Sequence, residues 1–124
     1  MAVNWLDAPQ DHDYQAAADY LSMVDEPDAV EKTVAALKHT KAVYRQAKDI
    51  LRAARLDLLP SSNPHVASDL SKISTGTKLS PILLVRGSGK RAVPLQIADG
   101  YHRVCASYHT DENTDIPVVL VPPS

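Results

Sequence analysis

A short polar segment between two apolar runs carries the residue types in this sequence that are best suited to chemistry. Residues 97–110 read IADGYHRVCASYHT. A carboxylate, a glycine, a phenol, an imidazole and a guanidinium follow one another at its centre, as Asp99, Gly100, Tyr101, His102 and Arg103. The preceding run VPLQIA alternates like a strand, and the residues after the turn have helical spacing. A helix that begins here presents unpaired backbone N–H groups and a partial positive charge, so the turn is suited to an anion.

Four residues of the turn have roles that fit a phosphate group. Gly100 permits close backbone approach, while His102 and Arg103 add donors, and arginine is suited to bidentate contact with phosphate. Asp99 can cap the helix, orient His102, or hold a divalent metal that bridges phosphates. The alternative is structural: Asp99 is only an N-cap and Arg103 is only a surface charge.

Other catalytic or metal-binding patterns are weak. The five histidines show no HxxxH spacing, the single cysteine excludes a CxxC pair, and no metal site is predicted. GSGK at 87–90 is too short for a P-loop and is interpreted as a hairpin turn. Cys105 stands one helical turn after the polar segment, where a small buried residue is expected, so we predict a core cysteine.

Length and composition favour one ordinary globular domain. The chain has 124 residues, of which 44% are hydrophobic and 23% charged, with a net charge of -2. One cysteine fits a reducing compartment. The start MAVNWLDAPQDHD is unlike a signal peptide, and no apolar run approaches about 20 residues. We therefore expect a cytoplasmic protein without a membrane partner.

The charges are unevenly distributed along the chain. Residues 1–31 contain eight acids and no Lys or Arg, whereas residues 32–55 contain seven basic residues and one acid. The two segments either lie against each other or mark a surface for a partner. Five cations are spaced 4, 3, 4 and 3 residues apart and would share one face of a helix: Lys41, Arg45, Lys48, Arg52 and Arg55. Such a face could bind a protein or a nucleic-acid backbone, or could simply be solvated.

The first half of the chain has the pattern of three helices. Asp13 is placed to cap the first, Pro27 to begin the second, and Thr40 to cap a third over residues 41–55. Their predicted buried positions are Tyr14, Ala17, Ala18 and Leu21, then Val30, Val34 and Leu37, then Val43, Ala47, Ile50, Leu51 and Ala54.

The second half alternates strands and helices. LDLLPSSNP predicts a short strand and a turn, and VASDLSKIS predicts a helix that buries Val66, Leu70 and Ile73. PILLVR and VPLQIA predict a hairpin, the polar segment leads into a helix, and IPVVLV predicts a last strand. This order indicates an α+β fold with a small mixed sheet covered by helices.

The segments LDLLPSSNP, VASDLSKISTGTKLSPILLVRG, LQIADGYHRVCASY and IPVVLV, in that order, resemble the ParB/sulfiredoxin superfamily over residues 56–121. The resemblance implies a small mixed sheet of that type in residues 56–124. Residues 1–55 would form an extra helical segment packed on this core, within a single domain overall.

The resemblance also implies a function. In the family this turn grips nucleotide phosphates, which predicts binding of ATP, ADP or CTP with Mg²⁺ at Asp99, Gly100, Tyr101, His102 and Arg103. Nucleotide hydrolysis or phosphoryl transfer would then use Asp99, His102 or Asp69, since free-serine kinases of the family have a similar turn and an acidic base upstream. Sulfinic-acid reduction is not expected, because Tyr101 stands where sulfiredoxins have their catalytic cysteine. Chromosome partition is not expected either, because no helix-turn-helix domain follows. The alternative is a non-catalytic interaction module that binds a protein or nucleic acid through its helical half.

Overall fold

A computed structural model describes residues 2–124, which form five helices and four strands. The helices are α1 (Asp11–Leu21), α2 (Pro27–His39), α3 (Ala47–Ala54), α4 (Pro64–Ser74) and α5 (Tyr101–Thr110). The strands are β1 (Val43–Gln46), β2 (Ile82–Val85), β3 (Gln96–Asp99) and β4 (Asp115–Val121). The predicted α+β class is confirmed. Among these residues no helix is both long enough and apolar enough to cross a membrane.

The four strands form one mixed sheet in the order β1-β4-β2-β3. β2 and β3 are antiparallel neighbours, and β4 lies parallel to β2. The predicted hairpin of PILLVR and VPLQIA and the place of IPVVLV in the same sheet are therefore confirmed. β3 is shorter than its apolar run. Val93 forms only an isolated bridge with Ser88, and the Leu95 N–H donates to the Ala53 carbonyl of α3 and not to a neighbouring strand.

Helices cover both faces of the sheet. Ile82 and Leu84 of β2 point into a core formed with α3, α4 and α5, whereas Leu83 and Val85 point into a second core formed with α1 and α2. A strand buried on both faces has no need of polar alternation, which explains the continuous apolar run ILLV. The helices α1 and α2 thus supply one layer of the fold, whereas α3 belongs to the layer on the other face.

The helix predicted over residues 41–55 is wrong in its first part. Val43–Gln46 forms an edge strand whose residues pair with Asp115–Val118 of β4, and the helix begins only at Ala47. Thr40 ends α2 instead of starting α3, and its hydroxyl donates to the Ala36 carbonyl at 2.7 Å. Val43 is consequently exposed, while the other predicted positions are buried: Ala47, Ile50, Leu51 and Ala54.

The basic face predicted for that helix is also divided. Lys41 precedes the sheet and Arg45 lies on β1, so neither shares a helical face with Lys48 and Arg52. Arg55 follows α3 in the left-handed conformation, with φ 55°. The five cations do not form a continuous stripe.

The strand predicted for LDLLP is not formed. The chain from Leu56 to Pro60 is an irregular segment that lies along α5. The Tyr101 hydroxyl donates to the Asp57 carbonyl, and His109 Nε2 lies 2.7 Å from the Leu59 carbonyl oxygen. These side chains of α5 satisfy carbonyls that a neighbouring strand would otherwise bind.

Replacing Ile50 by alanine tests the packing of α3. Ile50 is only 2% exposed and belongs to the core beneath the sheet, so the substitution should lower the free energy of unfolding by about 2 to 5 kcal/mol. Urea unfolding measures the change, with Lys48→Ala on the exposed side of the same helix as the control. Equal stability of the two variants would contradict the packing described.

Candidate functional site

The polar segment forms the strand-to-helix turn that its sequence predicts. β3 ends at Asp99, Gly100 is the N-cap residue, and α5 begins at Tyr101. No side chain caps this helix, and Val104 makes the first backbone hydrogen bond to the Gly100 carbonyl, at 3.1 Å. The N–H groups of the first turn are therefore not used by a capping side chain.

Gly100 is required on the inner side of the turn. Its φ is +113°, a value that L-residues rarely adopt. A Cβ atom at this position would lie 2.5 Å from Cδ1 of Ile82 and 2.8 Å from Nη2 of Arg103. The glycine therefore lets the turn close over the core and over the Arg103 side chain, in addition to leaving its backbone accessible.

Arg103 is held by two carboxylates. Its Nη2 lies 2.6 Å from Oδ2 of Asp99, and its Nη1 lies 3.3 Å from Oδ1 of Asp13 on α1. The side chain is 13% exposed, so it is not the surface charge of the structural alternative. Asp99 accordingly pairs with Arg103 and does not cap α5. The two ion pairs fasten α1 to the turn.

Asp13 has a different role from the predicted N-cap of α1. Gln10 is the N-cap residue, and its backbone N–H donates to Oδ2 of Asp13 at 2.8 Å. Burial alone would raise the pKa of Asp13, but hydrogen bonds from the Gln10 N–H and from Ser80, together with the Arg103 charge, bring that pKa below its usual value. Asp13 is thus a buried, ionised partner for Arg103.

The pKa of Asp99 is shifted in the opposite direction from that of Asp13. Burial raises the pKa of Asp99, and the Arg103 guanidinium offsets only part of that increase. The charge of Asp13 raises it further. Two carboxylates with opposite pKa shifts therefore share one guanidinium beneath the turn.

A cleft of about 620 Å³ opens beside this turn. Five of the residues singled out by sequence or by the ion pairs line it: Asp69, Asp99, Gly100, His102 and Arg103. Its other walls come from α4, from the segment 77–80 that leads into β2, and from the N-terminal residues Leu6, Gln10 and His12. Backbone hydrogen bonds of 2.8 Å join Leu79 to Asn4 and Leu6, which holds the N-terminal segment against the cleft.

Two lysines supply positive charge that the sequence interpretation missed. Lys72 on α4 and Lys78 both line the cleft and are exposed to solvent. Lys72 Nζ lies 3.9 Å from Oδ1 of Asp69, whereas no carboxylate of residues 2–124 lies within 4 Å of Lys78. Lys72 could have been found from its place one turn after Asp69 on the same predicted helix, but Lys78 carried no such signal.

His102 and Asp69 are two titratable groups of the cleft whose pKa values are shifted by their surroundings. The His102 ring lies 4.7 Å from that of His65, centroid to centroid. Burial, and secondarily the neighbouring His65, lowers the pKa of His102, so its neutral form prevails at pH 7. Burial raises the pKa of Asp69, which favours its protonated form relative to an exposed aspartate. Tyr101, by contrast, directs its hydroxyl to Asp57 and does not line the cleft.

Cys105 lies in the core, as predicted, and is fully buried. Burial raises the pKa of its thiol, so little thiolate forms near neutral pH. We expect a thiol reagent to label the folded protein no faster than the protein opens, and labelling in urea to be rapid. Fast labelling under native conditions, followed by absorbance, would show that the thiol is accessible.

The cleft contains donors for an anion and little for a resident metal. In residues 2–124 no three His, Cys, Asp or Glu side chains are grouped as a metal site.

The chain matches no family model, no curated protein and no solved structure. A function for the site must therefore be argued from the chemistry of the cleft.

Proposed function

We propose that the protein binds a nucleotide or a related phosphate-bearing ligand in the cleft at the N-terminus of α5. The supporting observation is the combination of a helix start without a side-chain cap and two exposed lysines in one cleft, Lys72 and Lys78. Helix N-termini favour anions through their free N–H groups and their partial positive charge, and lysine adds a full charge. The cleft volume is within the usual range for a small-molecule site.

The residues around the ligand take distinct parts in this proposal. Lys72 and Lys78 neutralise phosphate charge, and the first-turn N–H groups of α5 donate hydrogen bonds. His102, neutral at pH 7, adds a ring N–H donor. Arg103 acts mainly by holding the turn, because both of its terminal nitrogens already contact carboxylates.

The proposal also names residues that would hold Mg²⁺ and residues that would move a proton. Mg²⁺ in nucleotide sites is bound by one or two carboxylates together with phosphates, and Asp69 is the carboxylate here that Arg103 does not occupy. Asp69 would therefore hold the ion when a Mg²⁺ nucleotide binds. If the ligand also reacts, His102 is the candidate for moving a proton, since Asp99 is occupied by Arg103. Asp69 is available for that role only when it does not hold the ion. The resemblance to the ParB/sulfiredoxin superfamily supports ATP, ADP and CTP as the ligands to test.

Calorimetric titration with ATP, ADP and CTP, with and without Mg²⁺, tests the proposal. Lys72→Ala and Lys78→Ala should each weaken binding by about 1.5 to 3 kcal/mol, the scale for losing a hydrogen bond to a charged group. Lys90→Ala, at an exposed position that lines no part of the cleft, is the matched control and should bind like the unmodified protein.

Two results would count against the proposal. The first is no binding of any of the three nucleotides, which would leave the non-catalytic interaction module as the better account. The second is binding that the cleft variants and Lys90→Ala weaken equally, which would place the ligand elsewhere.

A further inference from the structure

A second cleft, of about 470 Å³, lies at the opposite end of β2 from residues 99–103, which we call the DGYHR turn. Leu83 near the start of β2 pairs with Asp99, whereas Arg86 follows the end of the strand. Four arginines from β1, α3 and the segment after β2 line this second cleft: Arg45, Arg52, Arg55 and Arg86. We refer to it as the arginine cleft. It shares no lining residue with the first cleft.

Three of the four arginines have no carboxylate partner. Arg52 pairs with Asp49 at 3.1 Å. Arg45 and Arg55 donate only to backbone carbonyls, of Tyr44 at 2.8 Å and Ala92 at 3.4 Å. Across residues 2–124, no carboxylate oxygen lies within 4 Å of Arg45, Arg55 or Arg86. Asp49 is the one carboxylate in the lining and it pairs with Arg52, so three like charges remain without a counter-charge and the cleft is suited to an anionic partner.

Apart from the arginines, Asp49 and Ser88, the lining of the arginine cleft carries no polar side chain. Five aliphatic side chains contribute to it: Ile50, Leu84, Val93, Leu95 and Leu120. Val93 is exposed there. No aromatic ring lines the cleft, so nucleic-acid bases have no stacking platform of the usual kind. Arginines around an aliphatic floor fit a polypeptide that presents apolar side chains next to carboxylates.

The same chain carries a segment of that description. Residues 23–28, which we call the acidic turn, run from the connection after α1 into the first turn of α2. Met23 is 78% exposed and Val24 is 52% exposed. Three exposed carboxylates follow them directly: Asp25, Glu26 and Asp28. In the described part of the chain none of the three lies within 4 Å of a cationic nitrogen.

The acidic turn and the arginine cleft belong to opposite layers of the fold. α1 and α2 pack on one face of the sheet, whereas Ile50, Leu84 and Leu95 of the arginine cleft belong to the core on the other face. No ion pair joins the acids of residues 2–31 to the cations of residues 32–55. The charge asymmetry of the sequence is therefore not neutralised by contact between these segments.

We propose that the acidic turn of one molecule docks in the arginine cleft of a second copy. Met23 and Val24 would cover the aliphatic floor, and the carboxylates of the turn would neutralise Arg45, Arg55 and Arg86. Each copy then keeps one free turn and one free cleft, so the contact is head-to-tail and builds rings or open chains. The first cleft, beside the DGYHR turn, takes no part in this contact.

Charge reversal on each surface tests the contact. One variant carries Asp25→Lys and Glu26→Lys, and the other carries Arg55→Glu and Arg86→Glu. Like charges across the contact should weaken self-association about ten-fold or more in each variant, as followed by sedimentation over a range of concentrations. The control, Asp7→Lys with Asp57→Lys, makes the same change in charge as the first variant at two exposed sites outside both surfaces and should associate normally. Circular dichroism establishes that each variant is folded.

Mixing the two charge-reversed variants is the decisive step. The second variant keeps its acidic turn, which fits the intact arginine cleft of the first variant. The lysines in the turn of the first variant likewise face the glutamates in the cleft of the second, so the mixture should regain association. An unmodified protein that stays at its chain mass of 13.5 kDa at every concentration would overturn the proposal. Association that both variants retain would do the same. Monomeric protein that binds single-stranded DNA, with binding lost on Arg55→Glu and Arg86→Glu, would instead identify the cleft as a nucleic-acid site.

Discussion

Replacing Arg103 with methionine is expected to lower the free energy of unfolding by about 3 to 5 kcal/mol at neutral pH. The substitution keeps much of the side-chain volume but leaves Asp13 and Asp99 without the guanidinium that both contact. Asp13 is almost fully buried, so its charge cannot be compensated by water. Urea unfolding measures the loss, and Arg91→Met, at an exposed position of the β2–β3 connection, is the control that should change stability by no more than about 0.5 kcal/mol.

The free energy of unfolding lost on replacing Arg103 should be larger at neutral pH than in acid. In the unmodified protein the pKa of Asp13 is lowered, so Asp13 contributes stability that is present above its ordinary pKa and disappears as the pH falls through the lower folded value. Without Arg103 both carboxylates bind protons more readily in the folded state, so acid relieves their burial. The difference between variant and parent should therefore be largest near pH 7 and shrink below about pH 4. An equal difference at both pH values would show that the lost packing, and not the charge, is responsible.

Gly100→Ala should destabilise the protein by about 2 to 6 kcal/mol, combining the strain of a left-handed alanine with overpacking of the core. The new methyl group would collide with Ile82 and with the Arg103 guanidinium, and both lie on the inner side of the turn. Moving Arg103 would also disturb its contacts with Asp13 and Asp99. Thermal or urea unfolding measures the effect.

Gly89→Ala is the matched comparison for this substitution. A Cβ atom at Gly89 meets nothing within 4 Å, and the residue has no positive φ, so its replacement should alter stability by no more than about 0.5 kcal/mol. If the two alanine variants prove equally stable, the close packing described for the DGYHR turn is wrong.

The parts of the fold that could be predicted are those whose signals are local. The apolar run ILLV, the apolar spacing of VASDLSKIS and the glycine at the start of α5 are such signals, and each forms the predicted element. The helix α4 begins two residues earlier than that spacing predicts, at Pro64 after the Asn63 cap. β1 could not be predicted in this way. Residues 43–46 continue the helical pattern of α3, and only pairing with β4, about 70 residues away, makes them a strand.

The candidate site shows the same limit. The turn was identifiable because glycine, histidine and arginine follow one another after a strand pattern. Asp13 was misinterpreted because its partner, Arg103, is 90 residues away along the chain. Lys78 and the N-terminal wall of the cleft depend on the pairing of Leu79 with residues 4 and 6, which no local pattern announces. Tertiary contacts therefore determine which of the predicted residues share one cleft.

The most direct test of phosphate binding at this turn is a titration of the ¹⁵N-labelled protein with ATP, followed by NMR of the backbone amides. We expect saturable shifts in the amides of residues 101–103, the first turn of α5, and of residues 77–80, which line the cleft. The shifts should be reduced at the same ATP concentrations in the Lys78→Ala variant. Inorganic phosphate should shift the same amides more weakly, since it lacks the rest of the nucleotide. If the amides of residues 101–103 do not move at saturating ATP, or if the shifts are confined to the arginine cleft, the DGYHR turn is not the phosphate site.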